Sequence, residues 1–398
     1  MSDVLQINPN VSEGRFSRFE LIGWWDQSRL AAAKALVIGA GALGNEIIKN
    51  LALLGVGHIL VVDFDQIEHS NLSRSVLYRE SDCGRRKADA AAERAKEIYP
   101  QLRIEPLHAN VVYDLGLGPY RWADVILGGL DNREARVAIN RAAAKVGKPW
   151  IDGAIERLDG VARVFDPAIG PCYECTMSEV DWKMLEARRS CALLTRSEME
   201  QGKTPTTPTT SSVIAGIQVQ EAVKLLHGLE TLSGQGFVFD GTYHQSYLVN
   251  YTRLDDCPSH EALEPVIAMP WSVGRTTPRE VLERALHDLG GDAVLEFNHD
   301  LLATLTCPTC QETTTHLASL GKVTERAAVC PKCGALRAPG MYHSLALDSP
   351  LCDRPLAELG VPAWDIFGAR AGDRFVYYEL AGDQLDVLRS LSNDEGST

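Results

Sequence analysis

The chain has 398 residues, 45% of them hydrophobic, which is enough to bury sizeable cores and predicts two domains. Its formal net charge of −14 argues against nucleic acid as a partner, because phosphates favour basic surfaces. The sequence shows no signal peptide or membrane span, and its ten cysteines lie mostly in C-x-x-C pairs, a pattern typical of metal ligands in a reducing compartment. We therefore expect a cytoplasmic protein that binds neither nucleic acid nor membranes.

Strands and helices alternate in the predicted structure of residues 30–165. The predicted strands are Ala35–Ile38, Ile59–Val62, Arg103–Leu107, Asp124–Leu127, Pro149–Asp152 and Val161–Asp166, and helices such as Glu46–Leu54 and Lys87–Ile98 lie between them. This alternation predicts an α/β fold with a Rossmann-like, doubly wound and mainly parallel sheet. Helices should cover both of its faces, and a ligand should bind at the carboxyl ends of its strands.

A glycine pattern follows the first predicted strand, with Gly39, Gly41 and Gly44 in G-x-G-x-x-G spacing. Such a strand-to-helix turn lets the backbone approach a phosphate, and the helix N-terminus points its free N–H groups at the anion. Alone, the pattern fits a dinucleotide site, a mononucleotide site or a tight structural turn. Asp63 ends the next strand, 19 residues after Gly44, where an acid would hold a ribose hydroxyl in either kind of nucleotide site.

Charged residues further along the chain favour ATP over a nicotinamide cofactor. Asn71-Leu72-Ser73-Arg74 and Gly84-Arg85-Arg86-Lys87 follow the acid. A nicotinamide site needs one pyrophosphate cradle, whereas an ATP site that breaks the α–β phosphate bond needs positive charge on every phosphate. Asp131, after the strand Asp124–Leu127, supplies a metal ligand. An NAD-dependent oxidoreductase on the same fold is the alternative.

Six ordered motifs in residues 12–262, about two thirds of the chain, resemble the ubiquitin-activating enzyme superfamily, which includes the sulfur-carrier adenylyltransferases of the ThiF/MoeB group. The motifs are Arg15-x-x-Arg18, GAGALGNE, DFDxIExSNLSR, GRRKA, GLDN and CYEC. The resemblance implies an adenylation site for ATP and Mg²⁺. In that site the glycine turn cradles phosphates, Asp63 binds the ribose, Asn71, Arg74 and Lys87 contact the phosphates, and Asp131 ligates Mg²⁺.

Two further roles are implied by the resemblance. Arg18 matches an arginine that relatives insert into the ATP site of the partner subunit, which implies a homodimer, and Arg15 is a close competitor for this role. Cys191 matches the cysteine that accepts the acyl group from the adenylate. In ubiquitin-like activators the matching cysteine forms a thioester, and in some sulfur-carrier enzymes it forms a persulfide-linked adduct.

Cys191 lies in a segment, residues 176–212, that breaks the α/β alternation and is predicted to be an irregular crossover loop. Arg188 and Arg189 are expected to lower the pKa of its thiol, which favours the nucleophilic thiolate. A buried, inert cysteine is the alternative. The run from Thr206 to Thr210 would cross over the tail of a bound partner, and a helix should begin near Ser211 or Ser212.

Cysteine spacing predicts two structural zinc sites. Cys307-x-x-Cys310 and Cys330-x-x-Cys333 offer four thiolates at a spacing that suits tetrahedral Zn²⁺ in a ribbon, with a redox pair as the alternative. The other set is Cys172, Cys175, Cys257 and His260. The ThiF/MoeB group normally has a second C-x-x-C here, so a Cys₃His zinc site is expected, and a degenerate site without metal is the alternative.

The sequence thus predicts an adenylation domain over residues 1–268 and a smaller, mixed zinc-ribbon domain over residues 269–398 that recruits a partner. The leading functional prediction is ATP-dependent activation of a ubiquitin-like protein. Its C-terminal glycine would be adenylated, transferred to Cys191 and passed to a conjugating enzyme. The brevity of the chain suggests a prokaryotic ubiquitin-like system. An adenylyltransferase for a sulfur-carrier protein of thiamine, molybdopterin or tRNA thiolation is the runner-up, and a non-catalytic zinc scaffold is the third hypothesis.

Overall fold

A computed structural model describes residues 14–190, 205–319, 323 and 325–392. Within them, the first unit is built on an eight-stranded sheet in the order β3-β2-β1-β4-β5-β6-β7-β8. Its strands are β1 Lys34–Ile38, β2 His58–Val62, β3 Arg103–Leu107, β4 Val125–Gly128, β5 Trp150–Glu156, β6 Asp159–Phe165, β7 Gln235–Asp240 and β8 Gln245–Asn250. Strands β1 to β5 run parallel, and β6 to β8 add an antiparallel extension.

Helices cover both faces of this sheet. They are α1 Gln27–Ala32, α2 Ala42–Leu54, α3 Lys87–Ile98, α4 Gly118–Trp122, α5 Arg133–Lys145, α6 Glu179–Ser190 and α7 Pro208–His227. One core packs α2, α3 and α7 against the sheet, and a second core lies on the other face with α4 and α5. All five residues of β2 are buried, as expected of a central parallel strand covered on both sides. The predicted fold class is confirmed.

The predicted irregular segment contains more helix than expected. Residues Glu179–Ser190 form α6, and α7 begins at Pro208 rather than near Ser211. Thr207 caps α7, because its Oγ1 accepts the N–H of Thr210 at 3.3 Å. Pro208 is at the first helical position, where its missing N–H has no cost. Proline was therefore a helix-start signal here rather than a breaker.

The second unit is a six-stranded sheet with its own core. Its order is β11-β10-β13-β14-β9, and β12 also pairs with β10. The bounds are β9 Val266–Met269, β10 Val294–Thr306, β11 Thr313–Ser319, β12 Ala338–Ala346, β13 Ile366–Ala371 and β14 Arg374–Leu380, with helices α8 Pro278–Leu289, α9 Glu325–Ala328 and α10 Gln384–Leu388. Strand β9, which spans the predicted boundary between residues 268 and 269, pairs in parallel with β14. Among the described residues, no helix is long and apolar enough to cross a membrane.

The two units share a buried contact. Trp364, Ile366 and Leu388 of the second unit belong to the core that also contains residues of α4 and α5. The N–H of Gly118 donates to the carbonyl of Trp364 at 2.9 Å, and the N–H of Leu117 donates to Oδ1 of the buried Asp365, also at 2.9 Å. The second unit is therefore packed onto the sheet rather than tethered beside it.

Candidate functional site

The glycine turn has the geometry of a phosphate cradle. Gly39 has a φ of +92°, and a Cβ on it would stand 2.5 Å from the carbonyl oxygen of Gly129. A Cβ on Gly44 would stand 1.9 Å from the carbonyl oxygen of Gly39, so both positions require glycine. Gly41 is the N-cap of α2 and has no side chain to bond the first N–H groups of the helix. A Cβ on Gly41 would meet no other atom within 4 Å, so the space in front of this helix end is open. The first N–H groups of α2 are thus free to bind an anion.

Asp63 lies beside this turn, directly after the carboxyl end of β2. Its Oδ2 accepts the N–H of Ala40 and its Oδ1 accepts the N–H of Asp65, each at 2.7 Å. A carboxylate can accept about four hydrogen bonds, so a ribose hydroxyl could still bind. Burial raises the pKa of Asp63 above its ordinary value, while the Lys87 ammonium acts in the opposite direction.

The predicted phosphate contacts lie on the loop between β2 and α3 and at the first residue of α3. The Lys87 ammonium is 2.7 Å from Oδ2 of Asp65 and is mostly buried. Arg74 is half-buried and donates through NH1 to the carbonyl of Ser70 at 2.7 Å. Asn71 is buried, and its Oδ1 accepts the N–H of Glu68, which gives it a part in shaping this loop.

Asp131 follows β4 at the same edge of the sheet. Its carboxylate is exposed, and its only hydrogen bond within the described residues is a long one, 3.3 Å, from Nδ2 of Asn132. Asn132 caps α5, because its Oδ1 accepts the N–H of Ala135 at 2.8 Å. Since β1 lies between β2 and β4, the carboxyl ends of these three strands meet where the chain order of the sheet reverses. An exposed carboxylate there could hold Mg²⁺.

Sequence reasoning missed a buried ionic network behind this loop. Asp152 on β5 is fully buried and pairs with Arg136 at 2.8 Å and with Arg163. Arg136 also donates to the carbonyl of Leu130 at 2.6 Å, so it fixes the residue before Asp131. The two guanidinium charges hold the pKa of Asp152 below its ordinary value against the opposing effect of burial. Spacing could not reveal this network, because Arg136 and Asp152 lie on different elements and meet through the fold.

The two N-terminal arginines differ in their contacts. Arg15 donates to the carbonyl of Ile98 at 2.5 Å and lies 5.1 Å from the ring centroid of Tyr99. Arg18 is exposed and makes no hydrogen bond or ion pair within the part of the chain that the structure describes. Arg15 is thus engaged in its own chain, while Arg18 could reach a second one. Cys191, the predicted acyl acceptor, lies outside the described residues, directly after α6 in the sequence.

The first predicted metal site brings four side chains together in the first unit. Cys172, Cys175, Cys257 and His260 place their ligand atoms within 4.8 Å of one another, although 85 residues separate the two halves. Burial lowers the pKa of His260, which favours the neutral ring that binds metals. Between the two halves, the buried Glu174 accepts hydrogen bonds from Asn140, Arg141 and Ser259. The cluster could hold Zn²⁺.

The ribbon cysteines form the second cluster. Sγ of Cys307 lies 3.4 Å from Sγ of Cys333, and Sγ of Cys310 lies 3.6 Å from Sγ of Cys330. The N–H of Cys310 donates to Sγ of Cys307 and lowers the pKa of that thiol to about 6, which favours the thiolate that metals bind. Four thiols facing one another suit a tetrahedral Zn²⁺ site with no open position.

Replacing Cys330 with serine is expected to lower the bound zinc from about two ions per chain to about one. The loss of a ligand should also destabilise the ribbon, because the binding energy of a structural zinc contributes to folding. Elemental analysis of the purified variant measures this. Cys83→Ser is the matched control, since Cys83 is half-buried and lies outside both clusters. An unchanged zinc content in Cys330→Ser would contradict the assignment.

Comparisons with known proteins show similarity over the first unit. The sequence profile of the ThiF family matches residues 14–259. The SAMP-activating enzyme E1 of Haloferax volcanii is 33% identical over 259 residues, which cover 61% of this chain and 87% of that protein. The adenylyltransferase and sulfurtransferase MOCS3 of Culex quinquefasciatus is 32% identical over 245 residues, which cover 61% of this chain and 53% of that protein.

Among solved structures, MccB of E. coli with ATP is similar in fold, with a TM-score of 0.54 and 20% sequence identity. The match covers 64% of this chain and 75% of that one.

Proposed function

The chain belongs to the ThiF family and is an E1-like adenylyltransferase, and from that premise we propose that it activates a ubiquitin-like protein. In this proposal it adenylates the C-terminal glycine of that protein, forms a thioester at Cys191 and passes the acyl group to a conjugating enzyme. The observation that carries the proposal is the open helix N-terminus at Gly41, with Asp63 and Asp131 directly after two strands at the same sheet edge and Lys87 at the start of α3.

The first step requires alignment and charge neutralisation more than covalent chemistry. A carboxylate oxygen of the glycine attacks the α-phosphorus of ATP, a P–O bond forms, and pyrophosphate leaves with the electrons of the broken P–O bond. The N–H groups of the glycine turn and the cations of Arg74 and Lys87 would bind the phosphates. Bound with ATP, Mg²⁺ supplies further positive charge, and Asp131 is the residue that would hold it.

The second step is acyl transfer. The Cys191 thiolate attacks the carbonyl carbon of the adenylate, the C–S bond forms, and AMP leaves with the electrons of the broken C–O bond. The thiol proton is released to solvent. A thioester keeps the carbonyl reactive toward the thiol of a conjugating enzyme.

An exposed apolar edge on the antiparallel extension supports a protein substrate. Tyr243, Tyr247 and Leu248 are 73%, 56% and 50% exposed, and they lie on β8 or the turn before it. Strand β8 is the last strand of its sheet among the described residues. Aromatic and aliphatic side chains at a free sheet edge are typical of a protein-binding surface.

A second apolar surface supports a homodimer. A groove of about 700 Å³ lies between α2, α7 and the segment that follows Arg18, lined by Trp24, Leu53, Val219 and Val223 among others. Leu53 is 47% exposed there, which places a large apolar side chain in solvent unless a partner covers it. A second copy seated on this groove would lie next to Arg18.

Replacing Leu53 with glutamate is therefore expected to convert a dimer to a monomer, because the new charge would be buried unpaired in the interface. ATP–pyrophosphate exchange should fall with it, since Arg18 would no longer reach a partner. Light scattering coupled to gel filtration measures the mass. Ile169→Glu is the control, since Ile169 is an exposed aliphatic residue outside the groove. A monomeric wild-type protein, or a dimeric variant, would contradict the prediction.

The runner-up is an adenylyltransferase for a sulfur-carrier protein. The name of the MOCS3 relative, an adenylyltransferase and sulfurtransferase, favours it. This hypothesis shares the first step with our proposal but ends at the adenylate or a sulfur adduct. It predicts no stable thioester.

Intact mass spectrometry under non-reducing conditions tests the proposal. The protein is mixed with Mg²⁺, ATP and a glycine-ending ubiquitin-like protein, as wild type, Cys191→Ser and the control Cys83→Ser. We expect an ATP-dependent, thiol-sensitive adduct in the wild type and the control that is absent from Cys191→Ser. Pyrophosphate release without an adduct in any form would support the runner-up instead.

A further inference from the structure

A buried carboxylate lies between the two halves of the Cys₃His cluster. The cluster consists of Cys172, Cys175, Cys257 and His260. Glu174 lies between the two cysteines of the first half in the sequence and is only 2% exposed. Ser259, which lies between the two ligands of the second half, is also buried and donates its hydroxyl to Oε2 of Glu174. This hydrogen bond joins two segments that are 85 residues apart in the chain and that both carry metal ligands.

Helix α5 fixes the Glu174 carboxylate from its other side. Nδ2 of Asn140 donates to Oε2 at 3.1 Å, and the Arg141 guanidinium donates to Oε1 at 2.7 Å. The orientation of the Asn140 amide is set, because its Oδ1 accepts the N–H of Tyr173 at 2.8 Å. Arg141 also balances a charge that would be costly to bury alone. Three side-chain donors therefore hold the carboxylate in one position.

The second half of the cluster needs such support. Both of its ligands lie on the connection between β8 and β9, which joins the first unit to the second. Residues Pro258–His260 form a single 3₁₀ turn there. So short a turn has little stability of its own, so tertiary contacts must set the positions of the ligands at its ends. The bond from Ser259 to Glu174 is one such contact, and it lies midway between the two ligands.

We propose that Glu174 is a positioning residue for zinc, which holds the second half of the cluster against the first and so sets how tightly the Cys₃His cluster binds the ion. Glu174 does not need to bind the metal itself, because one histidine and three cysteines complete a tetrahedral site. Its two oxygens instead accept hydrogen bonds from Asn140, Arg141 and Ser259. Replacing residues that orient metal ligands commonly lowers metal affinity by about 10- to 100-fold.

Glu174→Gln removes the positioning role while keeping the shape of the side chain. Glutamine has one acceptor oxygen, so it cannot serve Arg141 on one side and both Asn140 and Ser259 on the other. We expect this variant to release zinc from the Cys₃His cluster to an excess of chelator about tenfold faster than the wild type. Ser259→Ala, which leaves the ion pair with Arg141 in place, should also release it faster. The double variant should be no faster than Glu174→Gln alone.

Zinc release from the full chain to a chromophoric chelator measures these rates, and combination with Cys330→Ser identifies which of the two ions is affected. Glu221→Gln is the matched control, because Glu221 is a buried glutamate of the same unit that pairs with Lys224 at 2.8 Å and lies outside both clusters. The visible absorption of the cobalt(II)-loaded protein depends on ligand geometry and gives a second readout. It should change in Glu174→Gln and stay the same in the control.

Several results would overturn the inference. Wild-type zinc release in both Glu174→Gln and Ser259→Ala is one. Equal acceleration at both clusters, or the same acceleration in Glu221→Gln, is another, because it would indicate general destabilisation. If Glu174→Gln does not fold, Ser259→Ala decides: faster release from this cluster with wild-type urea unfolding would support the positioning role, and wild-type release would refute it.

A wild-type protein that holds a single zinc ion, at the ribbon, would also refute the positioning role, since the Cys₃His cluster would then carry no metal. These measurements use neither ATP nor a partner protein. Their outcome is therefore separate from that of the proposed function.

Discussion

Replacing Lys87 with methionine is expected to lower the rate of ATP–pyrophosphate exchange by about a thousandfold. The Lys87 ammonium is 2.7 Å from Asp65, and its side chain is only 12% exposed. Its charge also acts on Asp63, next to the end of β2. A cation held in this way costs little reorganisation when charge develops on the transferred phosphate. Methionine keeps most of the side-chain volume, so packing should survive.

Lys96→Met provides the matched control, because Lys96 lies on the same helix, α3, and is exposed. Its exchange rate should match that of the wild type. Isotope exchange between pyrophosphate and ATP measures both variants without depending on the thioester step. A loss of less than about tenfold in Lys87→Met would show that the lysine is not part of the phosphate site.

The adenylation unit could be predicted well because its signals are local. The predicted helix Lys87–Ile98 has the same bounds in the structure, and each predicted strand begins within two residues of an observed one. Buried parallel strands are continuous apolar runs, and glycine at Gly44 is required by a close contact with the carbonyl of Gly39 in the same turn. Patterns of this kind are set mainly by residues a few positions apart.

Features that depend on distant residues could not be predicted. The network of Arg136, Asp152 and Arg163 joins a helix to two strands, and no spacing in the sequence indicates it. The hydrogen bond of Arg15 to Ile98, which separates Arg15 from Arg18, also joins residues that are far apart in the chain. The Cys₃His cluster is an intermediate case. Its first half, Cys172-x-x-Cys175, is a recognisable local motif. Its second half, Cys257 and His260, was predicted as a ligand pair only because the family resemblance implies a second C-x-x-C there.

Replacing Trp364 with alanine is expected to lower the free energy of unfolding of the whole protein by about 3–5 kcal/mol. Trp364 is 3% exposed, and its indole N–H donates to Oε1 of Glu379 at 2.8 Å. It belongs to the second unit but is buried in a core of the first, so its loss leaves a cavity between the two. We therefore expect the two units to unfold in one transition, and the variant to shift that transition as a whole. Urea unfolding followed by circular dichroism measures this.

Gly118→Ala tests the same contact from the other unit. A Cβ on Gly118 would stand 2.4 Å from the Trp364 ring, closer than any packed side chain tolerates, so this small change should also destabilise the protein. Phe375→Ala is the control for aromatic loss in the second unit, because Phe375 is 46% exposed, and it should cost less than about 1 kcal/mol. Two separate transitions, with the first unit unaffected by Trp364→Ala, would show that the units fold independently. A single shifted transition would instead show that the two units unfold cooperatively through the Trp364 contact.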